Sequence, residues 1–219
     1  MNFITSIKDL CIDFLFPRSQ KALELEALSV GTLMKMLPRA EPTKDKSTVA
    51  LFDYSHPIVK EIIWELKYRG NTRIANKLGE ILYDHILEEL TDLNIFERWG
   101  KPTLIPIPVS DKRRHERGWN QSELLAQAVV THDREKILRY LPGQLVKYRH
   151  TESQTKTASR KERLGNLTNS MKVLNISKVD GGCIIVIDDV TTTGSTFAEA
   201  RRALHSAGAK KVLCIALAH

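Results

Sequence analysis

The strongest constraint on the fold is an apolar run, Cys183 to Ile187, that contains no polar side chain. Such a β-branched run is typical of a strand with both faces buried, as in the middle of a parallel sheet. A helix is predicted from about Ser195 to Ala207, where Gly208 ends it, and a last strand from Val212 to Leu217. Strand, helix and strand joined by short links predict a parallel sheet in an α/β domain.

Other elements are predicted by apolar spacing, helix caps and breakers. We expect a short amphipathic helix over residues 1–16 that packs on the protein's own core, and a linker over residues 38–48, which are rich in Pro, Lys, Thr and Ser. The alternative for the first segment is a helix on a membrane surface, which usually carries more Lys and Arg. Further predicted elements are helices from about Ser55 to Gly70, Ile74 to Ile86 and Asn120 to Thr131, and strands from Leu104 to Val109 and Leu145 to Arg149.

Composition narrows the class of protein. With 219 residues, of which 42% are hydrophobic and 27% charged, the chain has the composition of a soluble globular protein. No apolar run approaches the roughly 20 residues of a membrane-spanning helix, and Lys8, Asp9 and Asp13 interrupt the stretch that a secretory signal would keep apolar. The formal net charge of +7 favours anionic partners such as phosphates or nucleic acid, although many soluble proteins are equally basic without binding DNA.

Cysteine usage points to a reducing compartment. Cys11, Cys183 and Cys214 are widely spaced and form no CxxC pair. We therefore expect no zinc site built from cysteines, and we expect a cytoplasmic location.

The chemistry is concentrated after the buried strand, where Asp188 and Asp189 precede a turn rich in Thr and Gly and then a helix. In open α/β sheets, ligands bind at the carboxyl ends of strands. The first turn of a helix leaves backbone N–H groups without intrahelical partners and adds positive potential, which suits a phosphate dianion. The predicted phosphate-binding residues are Thr192, Thr193, Gly194, Ser195 and Thr196.

The two acids need a separate explanation, because carboxylates repel a phosphate. Two adjacent carboxylates can accept the two hydroxyls of a ribose diol, and they could also help position Mg²⁺ bound to a pyrophosphate. Helix capping by Asp189 or a threonine explains one polar residue, but not two acids followed by a hydroxyl-rich turn. The nucleotide loops GxxxxGK[ST] and GxGxxG are absent from the sequence, so we predict a site for a ribose 5-phosphate group.

This stretch closely resembles the motif with which type I phosphoribosyltransferases bind phosphoribosyl pyrophosphate (PRPP). The resemblance implies that Asp188 and Asp189 hold the ribose 2′- and 3′-hydroxyls, that Thr192 through Thr196 hold the 5′-phosphate, and that Mg²⁺ accompanies PRPP. The 6-oxopurine members place an aspartate where Thr192 stands. A hypoxanthine- or guanine-type acceptor is therefore not expected.

A second constellation lies in residues 105–126, IPIPVSDKRRHERGWNQSELLA, where a Pro-bounded strand leads into a loop with four cations. These cations can bind a pyrophosphate, because the planar guanidinium of arginine pairs two phosphate oxygens. A basic loop taken alone is more often a solvated surface, but a phosphate loop on the same sheet favours binding. The residues are Lys112, Arg113, Arg114 and Arg117.

The same stretch resembles the ComF family, phosphoribosyltransferase-like proteins linked to DNA uptake in naturally competent bacteria. Leu66–Leu82 and Thr151–Leu167 resemble two further regions of that family, so the resemblance spans roughly residues 50–219. It implies an open, mainly parallel sheet flanked by helices over residues 49–219, with a short helical appendage over 1–48. It also implies a mobile hood loop that contributes Lys156, Arg160 and Arg163.

The N-terminus departs from the family pattern. Family members often follow a Leu-Phe-Pro segment with a four-cysteine zinc ribbon, whereas here residues 15–17 are Leu-Phe-Pro and residues 18–21 are Arg-Ser-Gln-Lys. We therefore expect the zinc module to be lost or degenerate.

Two functions stay open at this point. The first is an enzyme, in which Asp188, Asp189, Arg113 and Arg117 act on PRPP while a nitrogen nucleophile of unspecified structure displaces pyrophosphate. The second is a non-catalytic module that binds PRPP or single-stranded DNA and serves the DNA uptake machinery. Trp119 lies beside the arginines and either stacks on a base or packs at the start of the following helix.

Overall fold

The computed structural model describes residues 19–43, 45–97, 99–148 and 170–219, with the side chains of residues 93–97 left aside. Helices cover about half of these residues. They are α1 (Gln20–Ala27), α2 (Val30–Met36), α3 (Pro57–Trp64), a π-helix (Glu65–Arg69), α4 (Thr72–Glu97), α5 (Asp111–Arg117), α6 (Gln121–His132), a 3₁₀ turn (Ile176–Lys178) and α7 (Ser195–Ser206). The strands are β1 (Thr48–Phe52), β2 (Thr103–Pro106), β3 (Arg139–Tyr140), β4 (Leu145–Lys147), β5 (Met171–Val173), β6 (Cys183–Val190) and β7 (Lys211–Ala218).

The main sheet has five strands in the order β1-β7-β6-β2-β3, and each neighbouring pair is parallel. Strand β6 lies in the middle, with Ile187 opposite Ile215 of β7 on one side and opposite Pro106 of β2 on the other. Strands β4 and β5 form a separate antiparallel pair. The predicted open parallel sheet flanked by helices is confirmed.

Alternate residues of β6 enter two different apolar cores. Ile185 and Ile187 belong to a core shared with α1 through α4 and α6, whereas Ile184 and Val186 belong to a core built with β5 and α7. All four side chains are fully buried. The apolar run is therefore the central strand of a three-layer α/β fold, as its lack of polar residues predicts.

Several elements are missing from the sequence-based interpretation, among them α1, α2, β1, β3 and β5. Helices α1 and α2 place Leu25 and Leu33 in the first core, and β1 pairs with β7 at the edge of the sheet. Within the predicted linker, Arg39 makes an isolated antiparallel bridge to Phe52. The division of the chain at residue 48 stays a prediction, and the predicted helix over residues 1–16 lies outside the described residues.

No described helix, including the 26-residue α4, is both long and apolar enough to cross a membrane.

Helices α4 and α6 pack closely against each other at Gly79. A Cβ added at Gly79 would lie 2.4 Å from Ala128 Cβ and 2.6 Å from its carbonyl carbon, so the backbones meet without room for a side chain. We expect Gly79→Val to cost about 3 kcal/mol of unfolding free energy, which lowers Tm by about 6–12 °C in a chain of this size.

Thermal unfolding followed by circular dichroism measures this loss. Gly31→Ala is the matched control, because a Cβ at helical Gly31 meets no atom within 4 Å and Gly31 has no positive φ. Its Tm should stay unchanged or rise slightly. Equal Tm values for Gly79→Val and the parent protein would show that the helices are not in this close contact.

Candidate functional site

The two acids lie inside strand β6, not after it. The predicted strand ends at Ile187, but pairing continues, with Asp188 opposite Ala216 and Val190 opposite Ala218 of β7. Asp188 and Asp189 are 7% and 3% exposed. Their carboxylates are therefore held by the central strand of the sheet, at its carboxyl end.

Asp188 is held by α6 and by its own neighbour. Ser122 Oγ donates to Asp188 Oδ1 over 2.6 Å, and the Asp189 backbone N–H donates to the same oxygen over 2.9 Å. Burial, and then the charge of Asp189, raise the pKa of Asp188 to about 7. Near neutral pH, Asp188 therefore changes its charge easily and is sensitive to what binds beside it.

Asp189 has two side-chain partners from different parts of the chain. Gln121 Nε2 donates to Oδ1 over 3.2 Å, and Lys67 Nζ lies 2.7 Å from Oδ2 as an ion pair. The sequence analysis missed Lys67, Gln121 and Ser122 as site residues. The available signal was the Asn120 cap, which was predicted and is confirmed, because it brings Gln121 and Ser122 to the start of α6.

Asn120 also fixes α6 to the sheet. Its side chain accepts from the Ser122 N–H over 3.0 Å and donates to the Ile107 carbonyl, beyond the end of β2, over 2.9 Å. One amide thus ties the N-terminus of α6 to the strand beside β6. This is why two residues of a helix reach both acids.

The predicted phosphate loop is a short turn between β6 and α7. Thr191 N–H still donates to Ala218 of β7, and Gly194 then adopts φ 73°, ψ 0° directly before Ser195, where the helix begins. Gly194 provides no side-chain cap. Thr193 Oγ1 accepts from the Ser195 N–H over 3.4 Å, and the next N–H groups of the first turn of α7 have no intrahelical acceptor. Thr193 and Ser195 hydroxyls lie 3.0 Å apart. The helix start at Ser195 agrees with the sequence-based interpretation.

The arginine segment is a helix, not the predicted loop. Helix α5 is capped by Ser110 Oγ, which accepts from the Arg113 N–H over 3.4 Å, and it ends at Gly118 with φ 82°. Ser110 and Gly118 stand at the two ends of this seven-residue helix. A serine N-cap and a left-handed glycine at the C-terminus explain the difference. The run of charges obscured these two signals in the sequence.

The four cations of α5 have different surroundings. Arg117 Nη1 donates to Gln121 Oε1 over 3.2 Å, so it reaches the acids through the residue that binds Asp189. Arg114 pairs with Glu123 over 3.0 Å, and Lys112 lies 3.8 Å from Glu116. Arg117 is thus the cation of this helix that is connected to the acid pair by side-chain contacts; Lys156, Arg160 and Arg163 lie outside the described residues.

A further cation, Lys147, lies near Asp188 and Arg113. The pKa of Lys147 is lowered from its usual value, mainly by burial. The charge of Asp188 opposes this shift and the charge of Arg113 adds to it. Lys147 also lines a cavity of about 290 Å³ with Arg114 and Asn120. Lys147 was predicted to lie in a strand and was not named among the site residues. The structure adds it to the basic surroundings of Asp188.

Trp119 is a packing residue. Its indole N–H donates to the Leu66 carbonyl over 2.9 Å, and its ring lies against Gly70, where an added Cβ would be 3.0 Å from the ring. These contacts favour packing over base stacking for this side chain.

Comparison with known proteins gives a consistent result. A family model described as the phosphoribosyl transferase domain matches residues 135–219. DNA utilization protein YhgH of Escherichia coli O6:H1 is 31% identical over 180 residues, which cover 81% of this chain and 73% of that protein. Competence protein ComFC of Bacillus subtilis is 29% identical over 151 residues, which cover 69% of this chain and 55% of that protein.

Among solved structures, the chain is similar to a B. subtilis glutamine PRPP amidotransferase complexed with ADP and GMP. The identity is 16% and the TM-score 0.39, and the match covers 70% of this chain but only 30% of that protein. Sequence identity to the relatives over most of both chains, together with the matching domain model, shows that this chain belongs to the ComF family of competence-associated, phosphoribosyltransferase-like proteins.

Proposed function

We propose that this chain binds PRPP, with the ribose diol on Asp188 and Asp189 and the 5′-phosphate on the turn from Thr192 to Thr196. One observation carries the proposal: a buried pair of acids is followed, within one continuous strand-turn-helix, by a helix N-terminus whose N-cap residue, Gly194, has no side chain. Thr192 lies three positions after Asp189 in the chain, a span of at most about 10 Å. That length suits a ligand with a diol at one end and a phosphate at the other.

The acids support a neutral polyol rather than an anion as their direct ligand. Burial of two adjacent carboxylates is unfavourable unless hydrogen-bond donors compensate it. Ser122, Gln121 and Lys67 provide part of that compensation in the free protein. The two hydroxyls of a ribose diol would add donors to carboxylate oxygens, which can each accept more than one hydrogen bond.

The residues also suit Mg²⁺ brought in with PRPP. Mg²⁺ prefers oxygen ligands and is often bound through one or two carboxylates and substrate phosphates. Asp188 and Asp189 are the carboxylates in position to hold it, with pyrophosphate oxygens and water as the other ligands. When bound, Mg²⁺ would offset negative charge on the pyrophosphate.

For catalysis, the chain's own residues would act mainly by positioning and electrostatics. The acids fix the ribose ring, and their negative charge favours the positive charge that develops on it. A nitrogen nucleophile forms a bond to the anomeric carbon while the bond from that carbon to pyrophosphate breaks, and pyrophosphate leaves with the electron pair. Arg117 and Arg113 would help neutralise the leaving group, with Lys147 as a third cation nearby.

Binding should depend on pH in a defined direction. The free protein holds a proton on Asp188 below about pH 7, whereas a diol donates best to the ionised carboxylate. PRPP binding should therefore release a proton, and the affinity should rise from pH 6 to pH 8. Calorimetric titrations at several pH values measure this dependence.

A phosphate monoester without a diol is the control, because its own phosphate titrates near pH 6 and shows how much of the effect comes from the ligand. The rise for PRPP should exceed the rise for this monoester. Identical pH dependence for the two ligands would contradict a diol on Asp188.

Turnover distinguishes an enzyme from a binding module. After PRPP binding is measured, the same sample is assayed for pyrophosphate release with a panel of nitrogen-containing bases. Release that depends on one base and is lost in Asp188→Asn supports a phosphoribosyltransferase. Tight PRPP binding without release from any base supports a non-catalytic module.

The second candidate is a module that binds single-stranded DNA within the DNA uptake machinery. The observation that favours it is the exposed basic surface of α5, in a chain whose relatives are named for DNA utilization and competence. Such binding should weaken as salt is added: the logarithm of the binding constant should fall with the logarithm of the salt concentration, with a slope of roughly −0.7 for each neutralised phosphate. DNA binding should also compete with PRPP. Absence of DNA binding at low salt, or DNA binding that is unchanged by saturating PRPP, would contradict a basic groove that DNA and PRPP share.

A further inference from the structure

Lys67 joins the site from a part of the chain far from the other site residues. It lies on the π-helix Glu65–Arg69 that follows α3, and its Nζ is 2.7 Å from Asp189 Oδ2. The Lys67 side chain is 23% exposed and that of Asp189 is 4% exposed. A partly exposed lysine side chain thus reaches a buried carboxylate, and the ion pair is largely shielded from water.

The π-helix that carries Lys67 is fixed on both sides. Glu65 is fully buried, accepts from Asn71 Nδ2 over 3.0 Å, and forms an ion pair with Arg69 over 3.4 Å. Trp119 donates to the Leu66 carbonyl from the segment before α6. π-helices are rare and occur often at functional sites. Lys67 is the central residue of this one.

Gln121 and Lys67 together determine the orientation of the Asp189 carboxylate. Gln121 donates to Oδ1 and Lys67 lies at Oδ2, so each oxygen has one fixed neighbour. An ionised carboxylate has about four acceptor positions, so positions stay available for a ligand hydroxyl. The lysine charge also offsets the repulsion between Asp189 and Asp188 in the buried strand.

We propose that Lys67 is a positioning residue of this site, which holds the Asp189 carboxylate in the orientation that receives a ribose hydroxyl. The inference rests on the proposed function, since it concerns the ligand assigned there. Lys67 acts through Asp189 and does not itself contact the phosphates. Its effect should therefore require the Asp189 carboxylate, and it should be the same for ligands with and without a pyrophosphate.

A double-mutant cycle tests this dependence. The variants are Lys67→Met, Asp189→Asn and the double variant, with Lys67→Arg as the conservative replacement. Lys60→Met, which removes an exposed lysine of α3, is the control for charge. Affinities for PRPP with Mg²⁺ and for ribose 5-phosphate are measured by calorimetry, and folding of each variant is checked by its Tm.

We expect Lys67→Met to weaken the binding of both ligands by about 10-fold. In the Asp189→Asn background, Lys67→Met should cause no further loss of affinity. Lys67→Arg should keep affinity within about 3-fold of the parent protein, because it restores the charge, and Lys60→Met should match the parent. If Lys67→Met fails to fold, a folded Lys67→Arg variant with more than 10-fold weaker binding contradicts the proposal.

Three results would overturn the inference. An equal loss in both backgrounds would mean that Lys67 contacts the ligand directly. A loss for PRPP but not for ribose 5-phosphate would place Lys67 at the pyrophosphate. Unchanged affinity in Lys67→Met, with PRPP bound by the parent protein, would remove its role while the proposed function stands. Absence of binding of either ligand to the parent protein would instead overturn the proposed function, and this inference with it.

Discussion

Asp188→Asn is expected to weaken PRPP binding by about 10- to 150-fold and, at pH 8, to raise the Tm of the free protein. The affinity loss follows from the removal of a charged acceptor, since hydrogen bonds to charged groups contribute about 1.5–3 kcal/mol. Asparagine keeps the shape of the side chain. Its Oδ1 can still accept from Ser122 Oγ and from the Asp189 N–H, as Asp188 Oδ1 does.

The gain in stability follows from the direction of the pKa shift. Burial raises the folded-state pKa of Asp188 to about 7 from its usual 3.8, so folding takes up a proton between these two values. The contribution of Asp188 to the stability of the parent protein therefore falls as pH rises from about 4 to about 7 and is lowest above pH 7. Asparagine cannot ionise, so the variant should be more stable at pH 8 and no more stable at pH 4.

Titration calorimetry and thermal unfolding at both pH values check these results. Asp92→Asn, an exposed acid of α4, is the control and should change neither quantity. Alanine at position 188 is a less informative variant, because it removes the acceptor of Ser122 Oγ inside the protein. Unchanged PRPP affinity in Asp188→Asn, or a lower Tm at pH 8, would contradict the description of Asp188 as a buried acid kept for ligand binding.

Gly194→Ala is expected to weaken PRPP binding by more than about 10-fold. Gly194 has φ 73° directly before α7, and alanine in the left-handed region costs about 1–2 kcal/mol. The strain would disturb the turn whose backbone is proposed to hold the 5′-phosphate. An added Cβ meets no protein atom within 4 Å, so it would point into open space beside that turn.

Gly181→Ala separates strain from binding. Gly181 has φ 67° and is equally open around its Cβ position, but it precedes the opposite end of β6. Both alanine variants should lower Tm by a similar amount, and only Gly194→Ala should lose PRPP affinity. Equal losses of affinity in the two variants would mean that the effect comes from general destabilisation.

The part of the site that the sequence predicts is the part that is local in the chain. The apolar strand, the two acids and the helix start at Ser195 follow one another in the chain, so local patterns predict them. The partners of the acids are not local: Gln121 is 68 residues from Asp189, and Lys67 is farther still. Gln121 and Lys67 reach Asp189 because of how α6 and the π-helix pack on the sheet, and no local sequence pattern predicts this packing.

The incorrect loop prediction for α5 has a different origin. Seven charged or histidine residues, Asp111 to Arg117, provide no apolar periodicity, and none of them is buried. The helix depends instead on Ser110 and Gly118 at its two ends. Helix α1 and helix α2 were missed for a related reason, because each has eight residues or fewer and is stabilised by a few buried side chains such as Leu25 and Leu33.

Asp188, Asp189 and the turn after them are proposed to form a site for PRPP. The decisive measurement is a calorimetric titration of the full chain with PRPP and Mg²⁺, with Asp188→Asn and Asp92→Asn titrated in parallel. We expect saturable binding of one PRPP per chain, at least about 10-fold weaker in Asp188→Asn and unchanged in Asp92→Asn. Absence of saturable binding to the parent protein, or equal affinity in all three proteins, would contradict this site.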